Sequence, residues 1–233
     1  MSAPTPGRVQ RLLAYDGPLA GRVLGVFGCF LASVSFLACL IPLLVFTALV
    51  GWQATHLAIL LSAVATAPVV PGIHGLLGAA GSLLDHGRDA HAGRVFWRGF
   101  ADGCRRLWRI AALVGAATVI VSYDVALLPT SDILLLAVPV IAAVLLGLVI
   151  AVSLRAGAPT EPRPSLRGAA HAAARAPHVV LSWVLLAALA VGAAFLPVVG
   201  SSAVLFAPGL AALGIQICAR ALRFDTREAE RRA

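Results

Sequence analysis

Arg94 to Arg109 reads RVFWRGFADGCRRLWR. At about 100° per residue, Arg94, Arg98, Asp102, Arg105 and Arg109 share one helical face, and Phe96, Trp97, Phe100, Cys104, Leu107 and Trp108 share the other. An ordinary amphipathic helix of a soluble domain has the same pattern, so the flanking sequence decides the reading. Long apolar blocks lie on both sides of this stretch. The expectation is therefore an interfacial helix at about 92–109, with arginines toward anionic headgroups and rings in the headgroup and acyl boundary. Its expected lipid contacts are Arg94, Trp97, Arg98, Phe100, Arg105 and Trp108.

Composition agrees with a membrane setting. The 233 residues are 60% hydrophobic and 12% charged, with a mean hydropathy of +0.95. That is too apolar for an ordinary soluble domain. A net charge of +8 would suggest nucleic acid in a soluble protein. Here the charge lies in short runs between apolar spans, so lipid headgroups are the expected partner and nucleic acid is not. Cys29, Cys39, Cys104 and Cys218 form no CxxC pair and read as small packing residues, with no metal expected.

Six apolar runs follow in order, each able to cross a hydrocarbon core of about 30 Å. They cover about 23–50, 56–84, 107–128, 132–154, 178–196 and 200–219. The segment 1–22 before them reads as cytoplasmic, and the first span as a retained signal anchor, because its apolar run is too long for a signal peptide. All 18 basic residues are arginine. They fall before span one, between spans two and three, in the loop 155–177, or in the tail 220–233, and the other three gaps hold none. By the positive-inside rule both termini and both long loops are cytoplasmic, in a cell (inner or plasma) membrane. The expected fold is all-α, a single six-helix transmembrane domain over 23–219.

Pro71, Pro139 and Pro208 stand at near-equal spacing in spans two, four and six, and Arg98-Gly99 and Arg167-Gly168 repeat the interval. This suggests three repeated hairpins with a shared, bundle-facing prolyl bend. Chance alignment in a chain rich in Ala, Gly and Pro is the alternative.

The most unusual intramembrane stretch is Pro68–Gly81, PVVPGIHGLLGAAG. Pro71 and Gly72 point to a kinked, tightly packed helix. His74, an ionisable group within an apolar span, points either to a proton or ligand site or to an imidazole satisfied by a freed carbonyl. Asp124, beside Tyr123 at the outer mouth of span three, completes the candidate intramembrane site; a plain helix-end residue is its other reading. The DHGRDAH stretch from Asp85 to His91 reads as solvated loop. There is no nucleophile motif, phosphate loop or intramembrane carboxylate pair, so no catalytic residue, cofactor or enzymatic activity is expected.

Two segments resemble the YesL-like family of bacterial membrane proteins. Ala67-Pro68-Val69-Val70-Pro71-Gly72 is similar to the proline-valine stretch ending that family's second span. Phe96-Trp97-Arg98-Gly99-Phe100, with Arg105 and Arg106, is similar to its basic segment leading into the third. The resemblance implies a protein without established enzymatic activity that accompanies carbohydrate ABC transporters, with permease subunits as partners. A small-solute transporter or channel in its own right is the second expectation. An accessory subunit should be dry inside, whereas a transporter should hold a wet cavity lined by His74 or Asp124.

The arginine distribution carries a topological prediction. Reporter fusions at Ala54, Ser131 and Val199 should all read external, and an internal signal at any one breaks the six-span count.

Overall fold

A computed structural model describes residues 18–50, 55–127, 132–157, 166–194 and 200–232. The sites chosen for reporter fusion, Ala54, Ser131 and Val199, lie outside these residues. So do the Pro129-Thr130-Ser131 turn, the Pro197 hinge, and Pro159, Pro162 and Pro164. Among the described residues the chain is helical, without strands. Its α-helices are α1 (Pro18–Leu49), α2 (His56–Thr66), α3 (Val69–His86), α4 (Ala92–Arg106), α5 (Trp108–Leu127), α6 (Asp132–Ala156), α7 (Leu166–Arg175), α8 (Pro177–Ala194) and α9 (Gly200–Arg232).

Among the described residues, five stretches are long and apolar enough to cross a membrane: Val23–Leu49, His56–His86, Trp108–Leu127, Leu136–Ala156 and Val204–Ala221. A sixth is counted if α7 and α8, bent by 98° between them, form one span. No more than 33% of the apolar window in any of the five is buried inside the protein. In water such exposure would be an aggregation surface; in lipid it is the solvated state. On α8, Leu181, Leu185 and Leu189 form one exposed stripe.

The local signals explain where the helices begin and end. Pro18 occupies the first position of α1, where its missing N–H costs nothing. The Thr55 hydroxyl accepts the Ala58 N–H at 3.3 Å and starts α2. Pro68 lacks a donor, and the Val64 carbonyl it would have served accepts instead from Ala67 N–H at 3.1 Å. The chain therefore tightens at Ala67-Pro68, and the break between α2 and α3 falls there rather than at Pro71. Gly87, with φ of 53°, stops α3 in a conformation that glycine tolerates best.

The helix α3 is the hub and packs against α1, α4, α5, α6 and α9. Its closest partner is α4, which runs back along it as an antiparallel hairpin. A Cβ on Gly75 would lie 2.7 Å from Phe96 O and 3.1 Å from Phe100 N. On Gly99 it would lie 3.0 Å from Gly75 Cα, and on Gly103 it would lie 3.0 Å from Pro71 Cα. Backbone meets backbone, as in small-residue helix pairs within membranes.

This contact corrects the two-face reading of Arg94–Arg109. A third face, Ala92, Phe96, Gly99 and Gly103, docks on protein, and Phe96 is fully buried. Nor is the stretch one helix to Arg109: α4 ends at Arg106, and Leu107 (1% exposed) is a pivot. The Leu107 N–H donates to Gly103 O, while its carbonyl accepts from Ile110 and Ala111. Trp108 and Arg109 therefore belong to α5.

Two segments read as irregular are helical. The loop 155–177 contains α7, whose alanine-rich run favours helix, and α9 continues through the tail to Arg232. The three prolines do not share an environment: Pro71 is buried, Pro208 half-buried and Pro139 exposed. A common bundle-facing bend is thus absent, because Pro139 sits on the outside of α6. Beside Pro208 a side chain of another helix does meet the backbone, although not at Val204 O, the carbonyl that the missing N–H would have served. The Ser33 hydroxyl on α1 accepts from Gly209 N–H at 2.9 Å and donates to Phe206 O at 3.4 Å.

The hairpin contact yields a stability prediction. Gly75→Ala forces a methyl into Phe96 O and should cost about 1–3 kcal/mol. Gly78→Ala points into open space and should be neutral or stabilising by up to about 1 kcal/mol. Unfolding of both variants in detergent checks the pair.

Candidate functional site

A cavity of about 390 Å³ lies between α3, α6 and α9. Its polar lining includes His74, Ser82 and Asp85 from α3, Ser153 from α6, and Gln216 and Arg220 from α9. The glycines of α3 leave its carbonyls without side-chain cover, and α9 uses them. Gln216 Nε2 donates to Leu77 O at 2.8 Å, and Arg220 Nη2 donates to Gly81 O at 3.1 Å. Arg220 also grips Asp85 with both nitrogens, at 2.6 and 3.0 Å. The fork fits a carboxylate in two parallel bonds and ties α9 to the end of α3.

The deep end is set by His74, which is 7% exposed. Its Nε2 faces α4, 3.9 Å from Asp102 Oδ2. The other carboxylate oxygen, Oδ1, is held by Arg106 Nε at 2.8 Å. The Cδ2 edge of the ring also faces α4, where a Cβ on Gly103 would lie 3.3 Å from it. His74 Nδ1 is buried without a hydrogen-bond partner, and so is Ser153 Oγ, on a residue 2% exposed. Two unsatisfied polar atoms on residues that line one cavity are costly to bury.

Of the residues singled out from the sequence, Pro71, Gly72 and His74 are together on α3, all buried. Asp124 is exposed and lies at the opposite end of α2–α3, next to Tyr123, whose hydroxyl pairs with His56 Nδ1 at 2.7 Å. Some 25 Å of helical rise separates that end from His74, so the structure does not bring Asp124 to the cavity. Arg94, Trp97, Arg98, Arg105 and Trp108 are exposed and Phe100 is half-buried in a ring cluster with Phe96 and Trp97. Arg109 lies over the Trp108 ring at 5.5 Å. The Asp85–His91 stretch does not converge: Asp85 goes to Arg220, and His91 Nδ1 donates to Asp89 O at 3.0 Å.

Ser153, Gln216, Arg220 and the Asp102 partner of His74 were not singled out from sequence. A usable signal existed for two of them. Ser153 is the lone hydroxyl in the apolar run 133–154, and Gln216 is the lone amide in the last span; such isolated polar groups mark interior positions. Comparison with known protein families, with characterised proteins and with solved structures finds no match.

The mouth of the cavity generates a prediction about the pair that closes it. Asp85 and Arg220 are about half exposed, so solvent screens them. A double-mutant cycle of Asp85→Asn and Arg220→Gln should give a coupling of about 0.2–1 kcal/mol that shrinks as salt is raised.

Proposed function

We propose that this is a multi-pass membrane protein that holds a small polar solute in the cavity between α3, α6 and α9. Of the two roles expected from sequence, a small-solute transporter is better supported than an accessory subunit with a dry interior. One observation carries this: a cavity of about 390 Å³ lies between these helices, and His74 and Ser153, each holding a buried polar atom without a hydrogen-bond partner, are among the residues that line it. A dry, purely packing interior has no reason to retain them.

In this reading the membrane is crossed six times, with α8 as part of the fifth span. Both termini and the arginine-bearing helices α4 and α7 face the cytoplasm. The exposed Arg94, Trp97, Arg98, Arg105 and Trp108 meet anionic lipid headgroups, at on the order of 1 kcal/mol per arginine near the surface. The cavity then opens toward the cytoplasm.

The accessory role beside a carbohydrate ABC permease keeps one observation in its favour. No residue of α2 or α5 lines the cavity, so it is not a continuous passage. A subunit that binds a solute without passing it on has the same shape.

Thiol accessibility separates a wet interior from a dry one. With Cys29, Cys39, Cys104 and Cys218 changed to Ala, a Ser153→Cys variant should react with a small charged thiol reagent in inside-out vesicles. Val152→Cys, at a fully buried neighbour, should not. A Ser153→Cys variant unreactive from both faces would remove the transporter reading and leave the accessory one.

A further inference from the structure

The apolar length of α5 does not match that of a bilayer. Arg109 and Asp124 are both exposed, and about 22 Å of helical rise separates them. A hydrocarbon core is about 30 Å thick, so an upright α5 is about 8 Å short and a tilted one shorter still. Side chains on a helix lean toward its N-terminus. At Arg109 that lean points to the cytoplasmic end and recovers part of the shortfall. At Asp124 it points into the core and adds to it. The helix α6 has no such deficit, since Asp132 and Arg155, which bound its uncharged run in the sequence, stand about 34 Å of rise apart.

The helices packed against α5 share its levels rather than correct them. At the outer end the Tyr123 hydroxyl pairs with His56 Nδ1 at 2.7 Å, which sets the first residue of α2 beside the turn of Asp124. Between the ends α2 and α5 stay side by side, and a Cβ on Gly115 would lie 3.7 Å from Ala63 O. At the inner end Arg105 and Arg106 close α4 just before the Leu107 pivot, within one turn of Arg109. Polar groups thus bound a short apolar band on α2 and α5. Leu113 and Ile120 are exposed, so lipid meets that band directly.

The arginines of α4 do not lie in one plane parallel to the membrane. Gly103 meets Pro71 near the start of α3, and Ala92 lies with Leu83 against Gly28 near its end, so α4 stands upright along α3. From Arg94 to Arg105 the rise is about 16 Å, more than the headgroup layer of about 5–8 Å on each side of the core. Among the described residues Arg94, Arg98 and Arg105 make no ion pair, while Arg106 holds Asp102. A guanidinium fork fits the oxygens of a phosphate.

We infer that the bilayer is thinned along the edge formed by α2, α4 and α5, where inner-leaflet phospholipids place their phosphates at stepped depths on Arg94, Arg98, Arg105 and, lowest, Arg109. A flat headgroup plane meets only some of these steps. A leaflet drawn down along α4 meets them all and brings the core to the length of α5; thinning of this kind is how a bilayer accommodates a short span or a charge below its surface. This rests on the α4 arginines meeting lipid headgroups and is independent of what the cavity holds.

The test is depth-resolved quenching of tryptophan in the full-length chain, in vesicles of dioleoyl phosphatidylglycerol doped with phosphatidylcholine brominated either near the carbonyl or near the chain end. With Trp52, Trp97 and Trp183 changed to Phe, Trp108 reports the inner level. Adding Trp108→Phe and Tyr123→Trp moves the probe to the outer level. Bromine near the carbonyl should be the stronger quencher at both levels. Changing Arg105 and Arg109 to Gln should make the chain-end bromine the stronger quencher of Trp108, and changing both to Lys, which keeps the charges, should not. In thinner vesicles of dimyristoleoyl phosphatidylglycerol the Gln pair should again read shallow, which separates relaxed thinning from a lost fold.

A shallow Trp108 with a deep Tyr123→Trp probe would leave the headgroup contact of α4 standing and defeat the thinning alone. A deep Trp108 would defeat both together. An unchanged pattern in the Gln pair would overturn the arginines as the phosphate ligands that draw the leaflet down.

Discussion

The approach of α3 to α4 at Gly75 and Gly99 is the contact on which the rest of the molecule depends. With backbone against backbone, no Cβ fits between the helices, and the amphipathic segment is drawn along α3. Three results follow from one contact. Phe96 is buried against protein, the arginines of α4 are turned outward, and Asp102 is brought to His74. Close packing of small residues is how helices associate where the surroundings are as apolar as their side chains.

The same shortage of water governs the polar groups inside. Ser33 bridges the backbone beside Pro208, and Gln216 and Arg220 reach carbonyls of α3 that glycines leave uncovered. Each pairing links a polar side chain of one helix to the backbone of another, and together they tie α1, α3 and α9. Against this pattern of satisfaction, His74 Nδ1 and Ser153 Oγ are exceptions, on two residues that line the same cavity. Their shared placement is what gives the cavity a chemical reading rather than a packing one. Among the described residues Trp183 Nε1 is also buried without a partner, and it lies outside that lining.

The arginines show how a correct local reading stops short of tertiary placement. Their separation from the aromatic rings along Arg94–Arg109 is real, and the exposed positions agree with it. What the two-face reading left out is glycine, which has no side chain to count as polar or apolar. Gly99 and Gly103 therefore carried no weight in periodicity although they make the tightest contacts of the segment. The proline spacing erred in the opposite direction. It treated three residues as equivalent because they recur, whereas their exposure depends on which way each helix is rotated.

Sequence alone determined that the chain is helical, that its long apolar stretches have the length of membrane spans, and that its charge is confined to short segments between them. Those properties are local, set by hydropathy, helical period and breakers such as Pro68 and Gly87 within a few turns of one another. His74 was also legible as an anomaly, because an ionisable residue stands out in an apolar run. Only the tertiary structure decided what surrounds it. The pairing of Asp102 with His74, of Arg220 with Asp85 and of Ser33 with Gly209 depends on helix rotation and crossing. These are fixed by contacts between residues far apart in the chain, and no local pattern encodes them.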